Sequence, residues 1–304
     1  MASKLKKNQA MKRLSPLLCL ALTLPLLTGC NAIDEKQRRS IFEPDNRNWP
    51  ISAELAPLLK DVWISFDSAV TGQPVRLHGL WLPADTRQPG WCGAAQAPLL
   101  LYLHGAHWNL TGSAPRIRHM QQLGFSVLAI DYRGFGQSTP GLPSEAMADE
   151  DARAAWNWLG AQHPGQPRYI FGHSLGGAIA IELAAQVNDE AGTVVEGTFT
   201  STADVFAATS KWGWLPLRPL MTQPFASVDK VAHIGAPLLV VHGTKDTRVP
   251  FALGQKLYAA AAPPKAFVQV EGGTHGSTNT LADAQYKAAL RQLFGGGRCS
   301  KPFS

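Results

Sequence analysis

Apolar residues fall in short unbroken runs at 98–103, 125–130, 168–171, 193–199, 237–241 and 266–270. Between most of them lie stretches of helical character at 115–123, 146–162, 175–187, 251–261 and 280–293. Strands that are apolar throughout, alternating with helices, predict a parallel sheet covered on both faces. Ahead of these, 62–66 and 75–82 alternate apolar with polar residues around a turn at 71–74, the pattern of two antiparallel strands. The predicted fold class is therefore α/β: a mostly parallel eight-stranded sheet with helices on both faces, formed by a single domain over 58–304. The segment 201–236, placed after the sixth strand, is expected to form a short lid. Residues 30–57 are polar and broken by proline, as in a tether.

The first 29 residues have a different pattern. Lys4, Lys6, Lys7, Lys12 and Arg13 precede an apolar run over 14–29, a basic region followed by a core of signal-peptide length. The run is shorter than the roughly 20 apolar residues that span a bilayer. It ends in Leu27, Thr28, Gly29 and Cys30, which resembles the lipobox of bacterial lipoproteins. That resemblance implies a signal peptide over 1–29, a lipid-bearing Cys30 at the mature N-terminus, and attachment to the membrane of a bacterial cell envelope. Asn31 after the cysteine points to the outer membrane. The alternative is an ordinary secretory signal with a chance cysteine.

Removing that segment changes the charge. The chain carries 28 Lys and Arg against 22 Asp and Glu, but five basic and no acidic residues precede Cys30, leaving 23 against 22. A nearly neutral body gives no electrostatic reason to expect nucleic acid as a partner. Cys19 leaves with the signal, so Cys92 and Cys299 remain, and in an oxidising compartment they either pair or stay as two free thiols.

Candidate chemistry centres on Gly172, His173, Ser174, Leu175 and Gly176, a GxSxG element between a predicted strand and a predicted helix. Glycines on both sides permit the sharp turn that exposes a serine hydroxyl, and the same turn aims the Leu175 amide at whatever the serine attacks. A serine needs a base, and His275, in a glycine-rich loop after the last strand, is the candidate among nine histidines. Asp246, at the carboxyl end of the strand over 237–241, is the acid expected to orient it, with Asp204 as the fallback. After the third strand, Gly105 allows a tight turn in which the Ala106 amide becomes a second oxyanion donor. Trp108, Trp212 and Trp214 are candidates for the substrate pocket. No HExxH or paired CxxC ligand set appears, and GHSLGG lacks dinucleotide spacing, so neither metal nor organic cofactor is expected.

Six motifs occur in one order: HGA at 104–106, DYRGFGQS at 131–138, PSE at 143–145, GHSLGG at 172–177, HGTKDTRVP at 242–250 and GGTHG at 272–276. Over 62–294 the chain thereby resembles the α/β-hydrolases often described as serine aminopeptidase S33-like, close to ABHD-type lipases. The resemblance implies the α/β-hydrolase fold and the triad Ser174, Asp246 and His275. Within DYRGFGQS, Asp131 and Arg133 are expected to be structural, and Glu145 to cap or brace a helix. The lid carries Trp212, Trp214, Leu215, Leu217, Leu220, Met221 and Phe225, which suits a small-molecule ester with an apolar acyl group unless these side chains only pack onto the sheet. Its acidic residues, Asp204 and Asp229, form no evident pair for a free amino group, which disfavours a peptidase. Three readings follow: ester hydrolysis through an acyl-serine, peptidase/amidase or acyltransferase chemistry by the same residues, and a non-catalytic binding lipoprotein.

Overall fold

A computed structural model describes residues 31–44, 47–85 and 97–295. Cys30, Cys92 and Cys299 lie outside the described residues, as does the stretch 1–29. Eight strands form one sheet in the order β1-β2-β4-β3-β5-β6-β7-β8. They are β1 (Lys60–Asp67), β2 (Pro74–Leu82), β3 (Leu99–Leu103), β4 (Ser126–Ile130), β5 (Arg168–His173), β6 (Gly192–Glu196), β7 (Leu238–Gly243) and β8 (Lys265–Val270). The β1–β2 hairpin is antiparallel, with Ile64 opposite Leu77, and β2 meets β4 antiparallel, with Leu80 opposite Ala129. Every later pairing is parallel.

Side chains alternate across each strand, so β3 feeds two cores at once. Leu99, Leu101 and Leu103 join Trp156, Ile170, Ile179 and Leu257 on one face. Leu100 and Tyr102 join Ile117, Val127, Tyr169 and Leu290 on the other. The first face is covered by α3 (Glu145–Gln162), α4 (Leu175–Gln186) and α7 (Phe251–Ala260), the second by α2 (Leu110–Gln122) and α9 (Asp283–Phe294).

The boundaries differ most from those read in the sequence at three places. Helix α2 starts at Leu110 rather than 115, because Asn109 caps it by accepting from the Thr111 and Gly112 amides at 3.1 and 3.4 Å. Strand β6 stops at Glu196 rather than 199, because Gly197 turns with φ +58°. The final helix divides into α8 (Thr278–Leu281) and α9.

The tether expected over 30–57 is corrected in its first part. Residues 31–42 are helical, here α1, and end in Phe42, which is fully buried against Phe225 with ring centroids 5.7 Å apart. The surface of α1 is polar, supported by Arg39 with Glu35 and Arg38 with Asp34 one turn apart, so the sequence reads as solvated although one aromatic side chain fixes it to the body. The lid contains α5 (Thr202–Thr209), a 3-10 turn at Arg218–Leu220 and α6 (Ser227–Lys230). Among the described residues no helix is long and apolar enough to cross a membrane.

Candidate active site

Ser174 occupies the sharp turn between β5 and α4 with φ 56° and ψ −121°, a backbone state that costs about 1–3 kcal/mol and persists only where its surroundings impose it. They do so here by close approach. A Cβ on Gly172 would collide with the backbone of Gly176, and one on Gly176 with the carbonyl oxygens of Leu103 and His104. The Ser174 amide donates to the Glu196 carbonyl at 2.9 Å, which locks the turn to β6.

His275 reaches this serine from the loop after β8. Its Nε2 lies 3.0 Å from Ser174 Oγ and its Nδ1 2.7 Å from Asp246 Oδ2. Beside a carboxylate Nδ1 carries the proton, which leaves the Nε2 lone pair free to accept from the serine hydroxyl. Asp246 is buried, and burial alone would raise its pKa. Hydrogen bonds from His242 and His275, together with the Val249 amide, instead hold it well below the usual carboxylate range. Its Oδ1 accepts from the Arg248 and Val249 amides at 2.9 Å each. The structure thus brings together Ser174, Asp246 and His275. Asp204 is elsewhere engaged, accepting from the Thr200 hydroxyl at 2.5 Å.

Leu175 is the first residue of α4, where amides lack helical acceptors and point outward. Ala106 follows Gly105, whose Cβ position would lie 3.1 Å from Ser174 Cβ, so the loop after β3 passes directly beside the nucleophile. The next residue, His107, has φ +70° and donates its amide to the Phe42 carbonyl at 3.0 Å, so α1 abuts the loop that carries Ala106.

A buried frame that the sequence gave little sign of supports the histidine. Arg116 donates from Nε to Glu196 Oε1 at 2.9 Å and from Nη2 to the carbonyl oxygens of His275 and Gly276 at 3.1 and 3.3 Å. His173 donates from Nε2 to the His275 carbonyl at 3.1 Å, and burial keeps its pKa well below normal. Burial would raise the Glu196 pKa, but the Arg116 charge dominates and brings it to about 2. The hydroxyls of Thr278 and Tyr286 donate to the same carboxylate. The one available signal was a glutamate at the carboxyl end of an otherwise apolar strand.

Asp131, Arg133 and Glu145 are structural. Arg133 pairs with Asp151 at 2.8 Å and Glu150 at 2.5 Å, and Asp131 accepts from the Leu110 amide at 2.9 Å. Glu145 opens α3 and accepts from the Phe225 amide at 2.8 Å, bracing the lid's base. Trp108 faces Trp49, with ring centroids 5.8 Å apart, while Trp212 and Trp214 are 52% and 74% exposed. Among the described residues no group of three or more His, Cys, Asp or Glu side chains is placed to hold a metal.

Comparison with known proteins agrees with this geometry. Residues 94–223 match the family model for serine aminopeptidase, S33. A protein of Mycobacterium tuberculosis is 35% identical over 287 residues, covering 93% of this chain and 96% of that protein. The lysophosphatidylserine lipase of Rattus norvegicus is 32% identical over 208 residues, covering 62% of this chain and 52% of the lipase; the chain thus matches about half of that relative's length. A Pyrococcus furiosus esterase superposes with a TM-score of 0.63 at 20% identity, covering 83% of this chain and all of the esterase, and so shares its fold. A puromycin-hydrolysing peptidase of Mycobacterium tuberculosis gives a TM-score of 0.62 at 19% identity, covering 82% and 41% of the two chains.

Proposed function

This chain belongs to the α/β-hydrolase family, and on that footing we propose that it cleaves carboxylic esters through an acyl-serine intermediate. The observation that carries the reading is the relay of 3.0 Å from Ser174 Oγ to His275 Nε2 and 2.7 Å from His275 Nδ1 to Asp246. Ser174 Oγ attacks the ester carbonyl while its proton passes to His275 Nε2. The imidazolium is stabilised by Asp246, and the oxyanion is held by the Leu175 and Ala106 amides. Collapse of the tetrahedral species breaks the acyl–oxygen bond, and His275 returns its proton to the departing alcohol. Water repeats the sequence, with His275 again as base, and releases the acid. Every group in this cycle belongs to the polypeptide, so no metal or organic cofactor is required.

An apolar acyl group is favoured by the lid's composition. Amide cleavage by the same triad is the second reading, favoured by the peptidase family model. Against it, both acidic residues of the lid are already engaged, Asp204 by Thr200 and Asp229 by Arg218, which leaves neither for a substrate ammonium. The N-terminal pattern supports placement in a bacterial envelope through lipid on Cys30.

Fluorophosphonate labelling tests the nucleophile: the native chain is expected to take the label and Ser174→Ala to lose it, whereas an unlabelled native chain points to a binding protein. A panel of acyl esters beside aminoacyl amides tests the bond, and faster amide turnover reverses the preference. Metabolic incorporation of a palmitate analogue, abolished in Cys30→Ser, tests the anchor.

A further inference from the structure

Nine large hydrophobic side chains are exposed among the described residues, and four of them gather at one corner: Ile33, Trp212, Trp214 and Leu220. Successive turns hold 212–221 compact, with the Leu215 amide on the Trp212 carbonyl and the Leu220 amide on the Leu217 carbonyl, at 3.0 and 2.8 Å. Helix α1 is fastened to this segment. Gln37 donates to the Leu220 carbonyl at 2.8 Å and accepts from the Thr222 amide at 2.9 Å, while Asp34 accepts from Gln223 at 2.9 Å. Ile33 lies one turn before Gln37 on the same helical face, and so beside the segment that Gln37 touches.

The sequence indicates what covers this corner. Cys30, the residue read as bearing lipid, immediately precedes 31, the first described residue of α1. Six residues of helix separate 31 from Gln37, about 9 Å. The polar region of a bilayer is about 5–8 Å deep on each side, so a chain held by lipid on Cys30 brings Leu220 and its neighbours to the outer edge of the headgroup region. The composition fits that depth: tryptophans with an exposed lysine, Lys211, whose Nζ lies 5.7 Å from the Trp212 ring, suit an interface that is apolar on one side and anionic on the other.

We propose that Ile33, Trp212, Trp214 and Leu220 form a docking face for the surface of a phospholipid bilayer. This rests on the reading that lipid on Cys30 holds the chain at a membrane. Helix α1 then links the docked corner to the catalytic loop: its first turns hold the face, and its last residue, Phe42, accepts the His107 amide beside Ala106. Twelve helical residues cover about 18 Å, so the catalytic loop stands beyond the polar region of the bilayer, on the body that the docked corner holds against it.

The test uses the full chain reconstituted in vesicles of phosphatidylethanolamine and phosphatidylglycerol containing a diazirine-bearing phospholipid, with photolysis and peptide mapping. Lipid adducts are expected on peptides containing Ile33 and 212–220 at least tenfold above those on the β1–β2 hairpin, whose Trp63 and Val70 are also exposed. Trp214→Glu is expected to lower the 212–220 yield at least threefold while adducts on the N-terminal peptide that starts at Cys30 persist. Adducts confined to that N-terminal peptide, equal yields on the hairpin, or covalent dimers joined through 212–220 in place of lipid each overturn the docking face. Absence of adducts anywhere overturns the anchor and the face together. Fluorophosphonate labelling of Ser174 in the same vesicles reports the hydrolase reading separately.

Discussion

Arg116 and Glu196 form a buried ion pair at 2.9 Å that ties the nucleophile to its base. The Glu196 main chain accepts the Ser174 amide, and Arg116 extends from the Glu196 carboxylate to the carbonyl oxygens of His275 and Gly276. Serine and histidine come from segments about a hundred residues apart in the chain, so their 3.0 Å approach depends on such a frame.

Arg116→Lys keeps the charge but loses the planar fork that bonds Glu196 and the loop carbonyls together. The expected result is a ten- to hundredfold fall in kcat with KM little changed, the size associated with a misplacement of about 1 Å. Arg116 acts through His275 rather than on substrate, so an equal loss appearing wholly in KM contradicts this role.

Glu196 also predicts an acid limb of stability. Its folded pKa of about 2 lies below the ordinary value of 4.5, so its contribution is complete above pH 4.5 and is lost as pH falls toward 2. The gap corresponds to about 3 kcal/mol. Glu196→Gln leaves Arg116 buried without its counter-charge, at a cost of about 3–5 kcal/mol at neutral pH. Denaturant midpoints of both proteins at pH 7 and pH 3 check this: the deficit should shrink in acid, and a constant deficit rules out the linkage.

Asp246→Asn is expected to lower kcat about ten-thousand-fold, because an amide can stabilise the wrong imidazole tautomer and cannot offset imidazolium charge. With Asp204 committed to Thr200, no hydrogen bond from His275 to a second carboxylate is found among the described residues. Full activity in Asp246→Asn would move the orienting role away from this residue.

The parts legible in the sequence were those carried by local pattern. Apolar runs revealed the strands because a sheet covered on both faces needs every residue of 99–103 or 238–241 to be apolar. GHSLG, Asp246 and His275 were legible because each sits at a strand's carboxyl end, where α/β sheets place their chemistry. Arg116 was not, since a single arginine within a helix reads as solvated until Glu196 is found 80 residues away. Helix α1 was missed for a related reason: its polar face is continuous, and what fixes it is an aromatic at its end together with polar side chains whose partners, such as Leu220 and Gln223, lie far away in the sequence. For Trp212 and Trp214 the sequence leaves the place in the fold open. Aromatic composition alone does not tell a lining from a surface, and the structure exposes them.

Asp149 predicts stability gained by removing a charge. Burial first, and then the nearby Glu182 and Glu145, raise its pKa from 3.8 to about 8, and its Oδ1 is buried without a partner. The folded chain therefore holds a proton that the unfolded chain releases near pH 4, and stability declines as pH rises from about 4 to about 8. Asp149→Asn should match the native protein at pH 3.5 and exceed it at pH 8 by up to about 5 kcal/mol, the linkage of a pKa raised from 3.8 to about 8. Melting curves at both pH values decide, and a variant less stable at pH 8 shows that the carboxylate is paired.

Phe42 predicts that α1 is part of the catalytic body. Its ring is fully buried and lies edge-on to Phe225, and its carbonyl accepts the His107 amide beside Ala106. Phe42→Ala should cost about 3–5 kcal/mol, the range for deleting a buried aromatic side chain. Loss of that packing also frees the end of α1, and with it the acceptor that fixes the loop after β3. Turnover of a dissolved short-chain ester should therefore fall at temperatures well below the melting transition. Phe42→Leu, which refills most of the volume, should restore both stability and rate in large part. If Phe42→Ala melts with the native protein and turns over the ester at the native rate, residues 31–42 serve only as a spacer.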